Sequence, residues 1–553
     1  MTLWTNYGNG TWSTGTNWTG GVVPDGTAST AEFTTLPGSG STNALVGITA
    51  GTSITVGSLT MAANTFGRYT IRRSSTGTGD ATLNFNAASG EANVTITGSG
   101  TSTIGNFSAS QRLNINLVTN TTFGIGFGSL LATDSLISGS GRLALTSGGT
   151  LEITRTTANT YSGGTEIRSG TIGIGASGAL GTGAILFGGS GGFGVSSVQL
   201  IAHANATLTN NISFQRDVNP VIAADTGVTL TLDPAQLKLA NGGRTITFGS
   251  LTQTGTVVFG GPNSSFATFS DTPDVRVAGG TLSIGGFTGR LLIQEAETTT
   301  VDSGAVLELT TTGSFIGELV NNGSVRTTDS SLDFVSGLSD ATMTGTFVGA
   351  VSRDRIRFSS ADNRNHAFNL SAATFSNWTN GFDQISITSG SGSDYLTGSN
   401  WFDTISSGNG NDVVSGEGGS DIISLGSGND FGLGGSGNDR ISGGSGSNYI
   451  DSGTGYDFAD YATSSSTVTI TRLSNTSWQV SGSGFTDTVL NTEVLHFTDR
   501  NIALRERIRT DLDGNDTSDL ILQSGTTLAS WTMANGAATG ATSLATIGAG
   551  STV

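Results

Sequence analysis

Eight residues in the last third of the chain stand nine apart: Asp394, Asp403, Asp412, Asp421, Asp430, Asp439, Asn448 and Asp457. Two residues before most of them comes a glycine: Gly392, Gly410, Gly419, Gly428, Gly437, Gly446 or Gly455. Two residues after comes an apolar slot, filled by Leu396, Ile405, Val414, Ile423, Ile441, Ile450 or Ala459. Glycine lets a tight turn adopt positive φ and bring its carbonyl oxygens close to a ligand. Carbonyls and carboxylates together are the donor set of a hard cation, and calcium takes roughly six to eight such oxygens. If each unit is one turn and one short strand, two units make a coil, and residues 18 apart share an edge. Asp394, Asp412, Asp430 and Asn448 then form one edge; Asp403, Asp421, Asp439 and Asp457 form the other.

The columns resemble the G-G-x-G-x-D-x-U-x nonapeptide of RTX proteins, which implies a calcium-bound parallel β-roll. Stacked carboxylates repel without the ion, so folding is expected to be coupled to calcium. The competing expectation is a glycine-rich roll that needs no metal. Three local departures stand out: Trp401 replaces a turn glycine, Gly432 empties an apolar slot, and Asn448 offers a weaker ligand. Behind the ladder, Thr486-Asp487-Thr488-Val489-Leu490-Asn491-Thr492-Glu493-Val494-Leu495-His496-Phe497-Thr498-Asp499 is similar to the segment that follows RTX repeats in bacterial type I secretion substrates. That resemblance implies one-step export by the type I machinery under an uncleaved C-terminal signal. Ahead of the ladder, Ala373-Thr374-Phe375-Ser376-Asn377-Trp378 looks like the lead-in of such proteins and is expected to be a capping strand.

A second acidic loop places side-chain oxygens at positions 1, 3, 5 and 9 with Asp511, Asp513, Asn515 and Asp519, which is calcium-loop spacing. It is not an EF-hand, because Leu522 holds position 12 and the glycine falls at position 4. It resembles an FG-GAP or VCBS-type repeat, with Trp531 at the aromatic position; a solvated turn is the alternative. One blade cannot stand alone, so the native chain is expected to continue past Val553 or the module to pack on a neighbour.

The elements that position these residues must be strands. The 553 residues include 85 glycines but six prolines, and no amphipathic helical pattern of useful length appears. Up to about residue 385, short β-type runs open after Gly149, Gly170, Gly280, Gly304 and Gly323. Spacings near 20–25 suggest solenoid coils, each too small to bury its own apolar face. A β-sandwich array is the rival. Asn159-Thr160-Tyr161-Ser162-Gly163-Gly164-Thr165, with Gly170-Thr171-Ile172 and Gly178-Ala179-Leu180-Gly181-Thr182-Gly183, resembles the autotransporter-associated β-strand repeat. The resemblance implies a right-handed parallel β-helix of a bacterial surface protein. Trp12, Trp18 and Pro24 look like the start of such passengers, as an aromatic cap on the first coil. The expected order is a β-solenoid at 1–385, a β-roll at 386–461, a capping segment at 462–505 and a partial calcium-loop module at 506–553.

Composition excludes several functions. A net charge of −18 and a single lysine, Lys238, leave no basic footprint for nucleic acid. No cysteine exists for a disulfide or thiolate site, and no apolar run of ~18 residues could span a membrane as a helix. The N-terminus carries no ordinary signal peptide, so export to the exterior or the bacterial surface is expected by another route, or a signal has already been removed. A polysaccharide lyase or epimerase would need an acid, a base and a charge neutraliser on one face, but His203, His366 and His496 sit in no recognisable motif. H-E-x-x-H is absent. The expectation is a non-enzymatic surface protein: a self-assembling lattice or filament subunit, or an adhesin for glycans or surfaces.

Overall fold

Glycine-punctuated runs of Val, Ile, Leu and Thr can bury alternate side chains only as strands, and strands dominate the fold. The computed structural model describes residues 2–504 except 7–8, 35–41, 64–66, 106–111, 190–196, 216–217, 234, 236, 240–244, 261–265, 270–272, 286–296, 311–313 and 330; beyond 504 it describes three strands. Among the described residues the helical elements are short 3-10 turns, and no helix is long and apolar enough to cross a membrane. The chain divides into two units, Met1–Ser359 with Ala372–Asp383 and Ser360–Ser371 with Gln384–Val553.

The first unit is a parallel β-helix. Thr150–Ile153 pairs in parallel with Gly170–Ile174, which pairs with Val198–Ala202, which pairs with Pro220–Ala224. A third sheet joins at Ala206–Leu208 and runs coil by coil to Thr374–Ser376, which pairs with Thr346–Val348. Leu151, Ile153, Ile172, Ile174, Leu200 and Ile222 point inward, while Thr150, Glu152, Thr171 and Gln199 between them stay partly exposed. Thr150 lies opposite Thr171, the spacing read from the glycines. The later coils slip by one residue: Thr281 lies opposite Val306, and Val306 opposite Ser324. Gly280 directly precedes its strand, whereas Ala305 separates the left-handed Gly304 from Val306. A glycine marks the turn, not a fixed strand position.

Two local devices explain motif residues. Asn159 is buried and ties three coils together: its Oδ1 accepts from the Ile137 amide (2.9 Å) and its Nδ2 donates to the Ala179 carbonyl (2.7 Å). At the N-terminus Trp12 and Trp18 are buried with Trp4, Phe33 and Tyr69, ring centroids 4.9–5.6 Å apart. The Trp12 indole donates to the Pro24 carbonyl, and the Trp18 indole to that of Trp12.

The second unit holds two narrow parallel sheets. One runs through Ala367–Asn369, Tyr395–Thr397, Val413–Ser415, Phe431–Leu433, Tyr449–Asp451 and Phe485–Leu490. The other includes Gln384–Thr388, Asp403–Ser406, Ile422–Ser424, Arg440–Ser442, Phe458–Tyr461 and Val494–Phe497. Between them Leu396, Ile405, Val414, Ile423, Ile441, Ile450 and Ala459 form a core one residue thick, each at most 1% exposed. The parallel order then ends. Thr469–Arg472 and Ser477–Gly482 form an antiparallel hairpin that pairs with Phe485–Leu490, and Val480, Val489, Leu495 and Phe497 pack on Ala459 and Tyr461. Leu520–Ser524, Thr527–Ala534 and Ala537–Thr546 form a three-stranded antiparallel sheet.

Candidate metal centre

Each short strand of the roll starts just after a ladder aspartate, and the chain turns before it. One carboxylate oxygen serves the backbone. The Asp394 amide donates to Asp412 Oδ1 (2.8 Å), and the Asp412 amide to Asp430 Oδ1 (2.9 Å). On the other edge the amides of Asp403, Asp421 and Asp439 donate to Oδ1 of Asp421, Asp439 and Asp457, each at 2.8 Å. All these aspartates are 0–3% exposed. Residues 18 apart therefore do share an edge, and the two edges read from the sequence are both present.

The second oxygen has no hydrogen bond: Oδ2 of Asp394, Asp412, Asp421, Asp430, Asp439 and Asp457 is buried without a partner. Asp354 and Asp383 in the first unit, also buried, give the contrast. Both of their oxygens accept backbone amides: Leu332 and Ala350 on Asp354, Asp354 and Thr379 on Asp383. A buried carboxylate oxygen with no donor carries a desolvation cost that a cation would relieve.

The space around that oxygen is set by a glycine column five residues ahead of the aspartate. A Cβ on Gly416 would collide with Asp421 Oδ2 and the Gly434 carbonyl; one on Gly434 would meet Asp439 Oδ2 and the Ser452 carbonyl. On Gly398 it would stand 2.8 Å from the Gly416 carbonyl and 2.7 Å from Asp403 Oδ2, which is already taken by Ser399. Carboxylate and carbonyl oxygens converge there on a gap that only glycine leaves open. The glycines two ahead also let the coils stack. The carbonyls of Gly392, Gly410, Gly419, Gly428 and Gly437 abut the glycine one coil on, so any side chain at Gly410, Gly428, Gly437, Gly446 or Gly455 would block stacking. Those five are left-handed, with φ between 114° and 153°; Gly392 is not among the positive-φ residues.

Burial and repulsion between rungs disfavour the ionised form. Burial pushes Asp403 and Asp457 up to about 7 and Asp430 to about 6. Asp421, buried and flanked by Asp403 and Asp439, is pushed to about 9. Asp412 and Asp439 are also raised, again chiefly by burial. Among the described residues no three His, Asp or Glu side chains gather in one metal-binding cluster, so carbonyls must supply much of any ion's shell. The donor set of neighbouring carboxylates plus turn carbonyls fits calcium.

The edges differ. At the turn column the second edge has Gly398, Gly416, Gly434 and Ser452; the first has Ser389, Ser407, Leu425 and Gly443. The Ser389 hydroxyl donates to the Ser407 carbonyl (2.6 Å), and the Ser407 hydroxyl to that of Leu425 (2.8 Å). Those carbonyls already have donors. The three departures also resolve. Trp401 sits in a turn where the Ser399 amide and hydroxyl occupy Asp403 Oδ2 (2.7 and 3.0 Å), leaving Oδ1 unpartnered instead. The slot emptied by Gly432 is filled from the turn, since a Cβ there would be 2.8 Å from the buried Leu425 side chain. Asn448 accepts the Asp430 amide through Oδ1 (3.1 Å) and donates through Nδ2 to Asp487 (2.8 Å).

Asp511, Asp513, Asn515 and Asp519 lie outside the described residues. The histidines are dispersed. His203 bridges Glu152 (3.1 Å) and Asp225 (2.7 Å) on the outer face of the helix. His366 meets Asp362 (3.0 Å), and His496 meets Asp460 (3.2 Å) beside Arg440.

Residues 388–423, 402–432 and 424–459 match the family model of the RTX calcium-binding nonapeptide repeat, in four copies. No curated protein and no solved structure matches the chain. The matched stretch and the ladder geometry coincide, so residues 388–459 are an array of RTX calcium-binding nonapeptide repeats, which indicates a calcium-binding protein of the secreted type.

Proposed function

We propose that the protein is a structural component of a bacterial surface that folds outside the cell on meeting calcium and assembles there into a lattice or filament. One observation carries the assembly step. Tyr395, Val413, Phe431 and Tyr449 lie opposite one another on successive strands of the roll, in a single outward row. Tyr395 is 62% exposed, and the Phe431 and Tyr449 rings stack 4.8 Å apart. Continuous apolar rows on a soluble surface mark contact sites. Because the row exists only while the coils are stacked, contact through it depends on calcium. Neutral Thr, Ser and Gln on the outer positions of the β-helix suit close packing without desolvating charge. The resemblances to autotransporter repeats and to type I secretion substrates support a surface location and export by the type I machinery, with further calcium held by Asp511, Asp513, Asn515 and Asp519.

Electron microscopy of the full chain with and without calcium tests this. Ordered arrays that dissolve under chelation, and that Tyr395→Ser with Phe431→Ser prevents without loss of folding, are expected. Dispersed particles at high concentration in calcium would overturn it. A second reading, an adhesin for surface polysaccharide, draws on a groove on the β-helix lined by Gln199, Thr247, Leu251, Arg276 and Asp302. Leu251 is 88% exposed there. Glycan binding by dispersed particles would favour it. A lyase or epimerase is the remaining alternative, but His203 is better read as an ion pair: burial opposes its charge, yet Asp225 and Glu152 raise its pKa.

A further inference from the structure

The first edge of the ladder does not stop at Asn448. Tyr449–Asp451 pairs in parallel with Phe485–Leu490, Tyr449 opposite Thr488, so Asp487 takes the position one coil beyond Asn448 although 39 residues separate them. The intervening residues fold away as the hairpin of Thr469–Arg472 and Ser477–Gly482. Asp487 is fully buried and is built like a rung. Its Oδ1 accepts the Asn448 side-chain amide at 2.8 Å and the Asn448 backbone amide at 3.4 Å, while its Oδ2 has no hydrogen bond of acceptable geometry. The second edge ends in the same way. Phe458 lies opposite Val494, and the Asp457 amide donates to a Glu493 carboxylate oxygen (2.9 Å).

The surroundings of Oδ2 set Asp487 apart. The turn column of this edge reads Ser389, Ser407, Leu425 and then Gly443. The hydroxyls of the two serines close the carbonyls of the next turns, but at Gly443 the cradle reopens. A Cβ there would stand 3.0 Å from Asp487 Oδ2 and 2.8 Å from Asn448 Nδ2. Asn448 brings an amide nitrogen to the place where the other rungs bring a carboxylate oxygen. We infer that Asp487, outside the nonapeptide repeats, is a calcium ligand at the Gly443 cradle and supplies the carboxylate that Asn448 lacks. This rests on the ladder binding calcium. It makes the segment after the repeats part of the metal site as well as a cover for the core. The Tyr461 hydroxyl is the other buried polar group that interacts with Asp487.

Calcium stoichiometry of the full chain, by isothermal titration with CaCl2, is the test, with amide hydrogen exchange of 485–490 as a second readout. Asp487→Asn should bind one ion fewer and lose the calcium-dependent protection of that strand. Asn448→Asp should tighten the same site while destabilising the calcium-free protein by setting two carboxylates together. Tyr461→Phe should leave the ion count unchanged. If Asp487→Asn binds as many ions as the parent, with the same affinities, Asp487 is not a ligand. If it does not fold, Asn448→Asp decides: destabilisation both with and without calcium, and no tighter site, would overturn the inference. A parent chain that binds no calcium would instead overturn the ladder itself.

Discussion

At the scale of single residues, the ladder aspartates join a used oxygen to an unused one. The amide-bound oxygen, Oδ1 except at Asp403, fixes the side chain, so the other oxygen is pre-positioned and pays no further rotamer entropy when an ion arrives. Protons and calcium compete for the same oxygen. In the calcium-free protein Asp430 is raised to about 6, Asp403 and Asp457 to about 7 and Asp421 to about 9, all above an unfolded carboxylate near ~3.9. A raised folded pKa means the folded state holds more protons, so the stability it contributes is fully present below about pH 4 and is lost as pH rises through those values. Thermal melts of the roll in chelator between about pH 4 and 9 should therefore show a midpoint that falls with rising pH; a midpoint that rises would contradict the burial of these groups. Excess calcium should flatten the profile. Gly416 gives a second residue-scale prediction. It is not left-handed, so alanine is barred there by its Cβ meeting Asp421 Oδ2 and the Gly434 carbonyl. Gly416→Ala should remove one ion from the titration and lower the melting temperature in calcium; an unchanged ion count would show that the cradle lies elsewhere.

At the scale of elements, a turn is more than a spacer, and that is where reading the sequence fell short. The period of nine, the apolar slots and the division into two edges were all legible, because a coil of fixed length repeats its chemistry at fixed spacing. The cradle glycines Gly416 and Gly434 were not legible, since the column two ahead of each aspartate is more regular. Its regularity comes from coil stacking, where backbone meets backbone. Asp487 and Glu493 were out of reach because the hairpin between the last repeats and the final coil breaks the period. Gly432 looked like a vacancy, yet Leu425 fills it from a turn. Leu425→Ala should cost about 2–5 kcal/mol in calcium, as for other buried leucines, with no change in ion count. Measured stability equal to that of the parent would mean that the slot is empty after all. The turn columns also rank the edges. Gly416 and Gly434 leave carbonyls facing Asp421 and Asp439 on the second edge, while Ser389 and Ser407 have bonded the equivalent carbonyls on the first. Asp421→Asn should therefore abolish a tight calcium site, and Asp412→Asn a weak one or none. Equal losses would show that the serine hydroxyls rotate aside for the ion.

At the scale of the molecule, the two units are stabilised by different means. The β-helix buries a broad apolar interior, with Phe85, Phe187, Phe248, Phe259, Phe334 and Phe347 among its fully buried side chains. Its buried carboxylates face cations or amides: Glu166 Oε2 lies 2.9 Å from both Arg142 and Arg168, though Oε1 has no hydrogen bond, and Asp354 and Asp383 take backbone amides. The nonapeptide strands each bury at most one aliphatic side chain, and at neutral pH a column of carboxylates raised by burial opposes their coils. Calcium is therefore expected to add stability to the second unit, by an amount that grows with free ion concentration over the dissociation constant. Calorimetry of the full chain should show two transitions in calcium. Chelation should move one downward or abolish it and leave the other in place, and limited proteolysis in chelator should yield a fragment that retains Ala372–Asp383 and ends near residue 385. A single transition that shifts as a whole would mean that the β-helix also depends on the ion. Retention of both transitions in chelator at pH 8 would mean that the roll holds together without it.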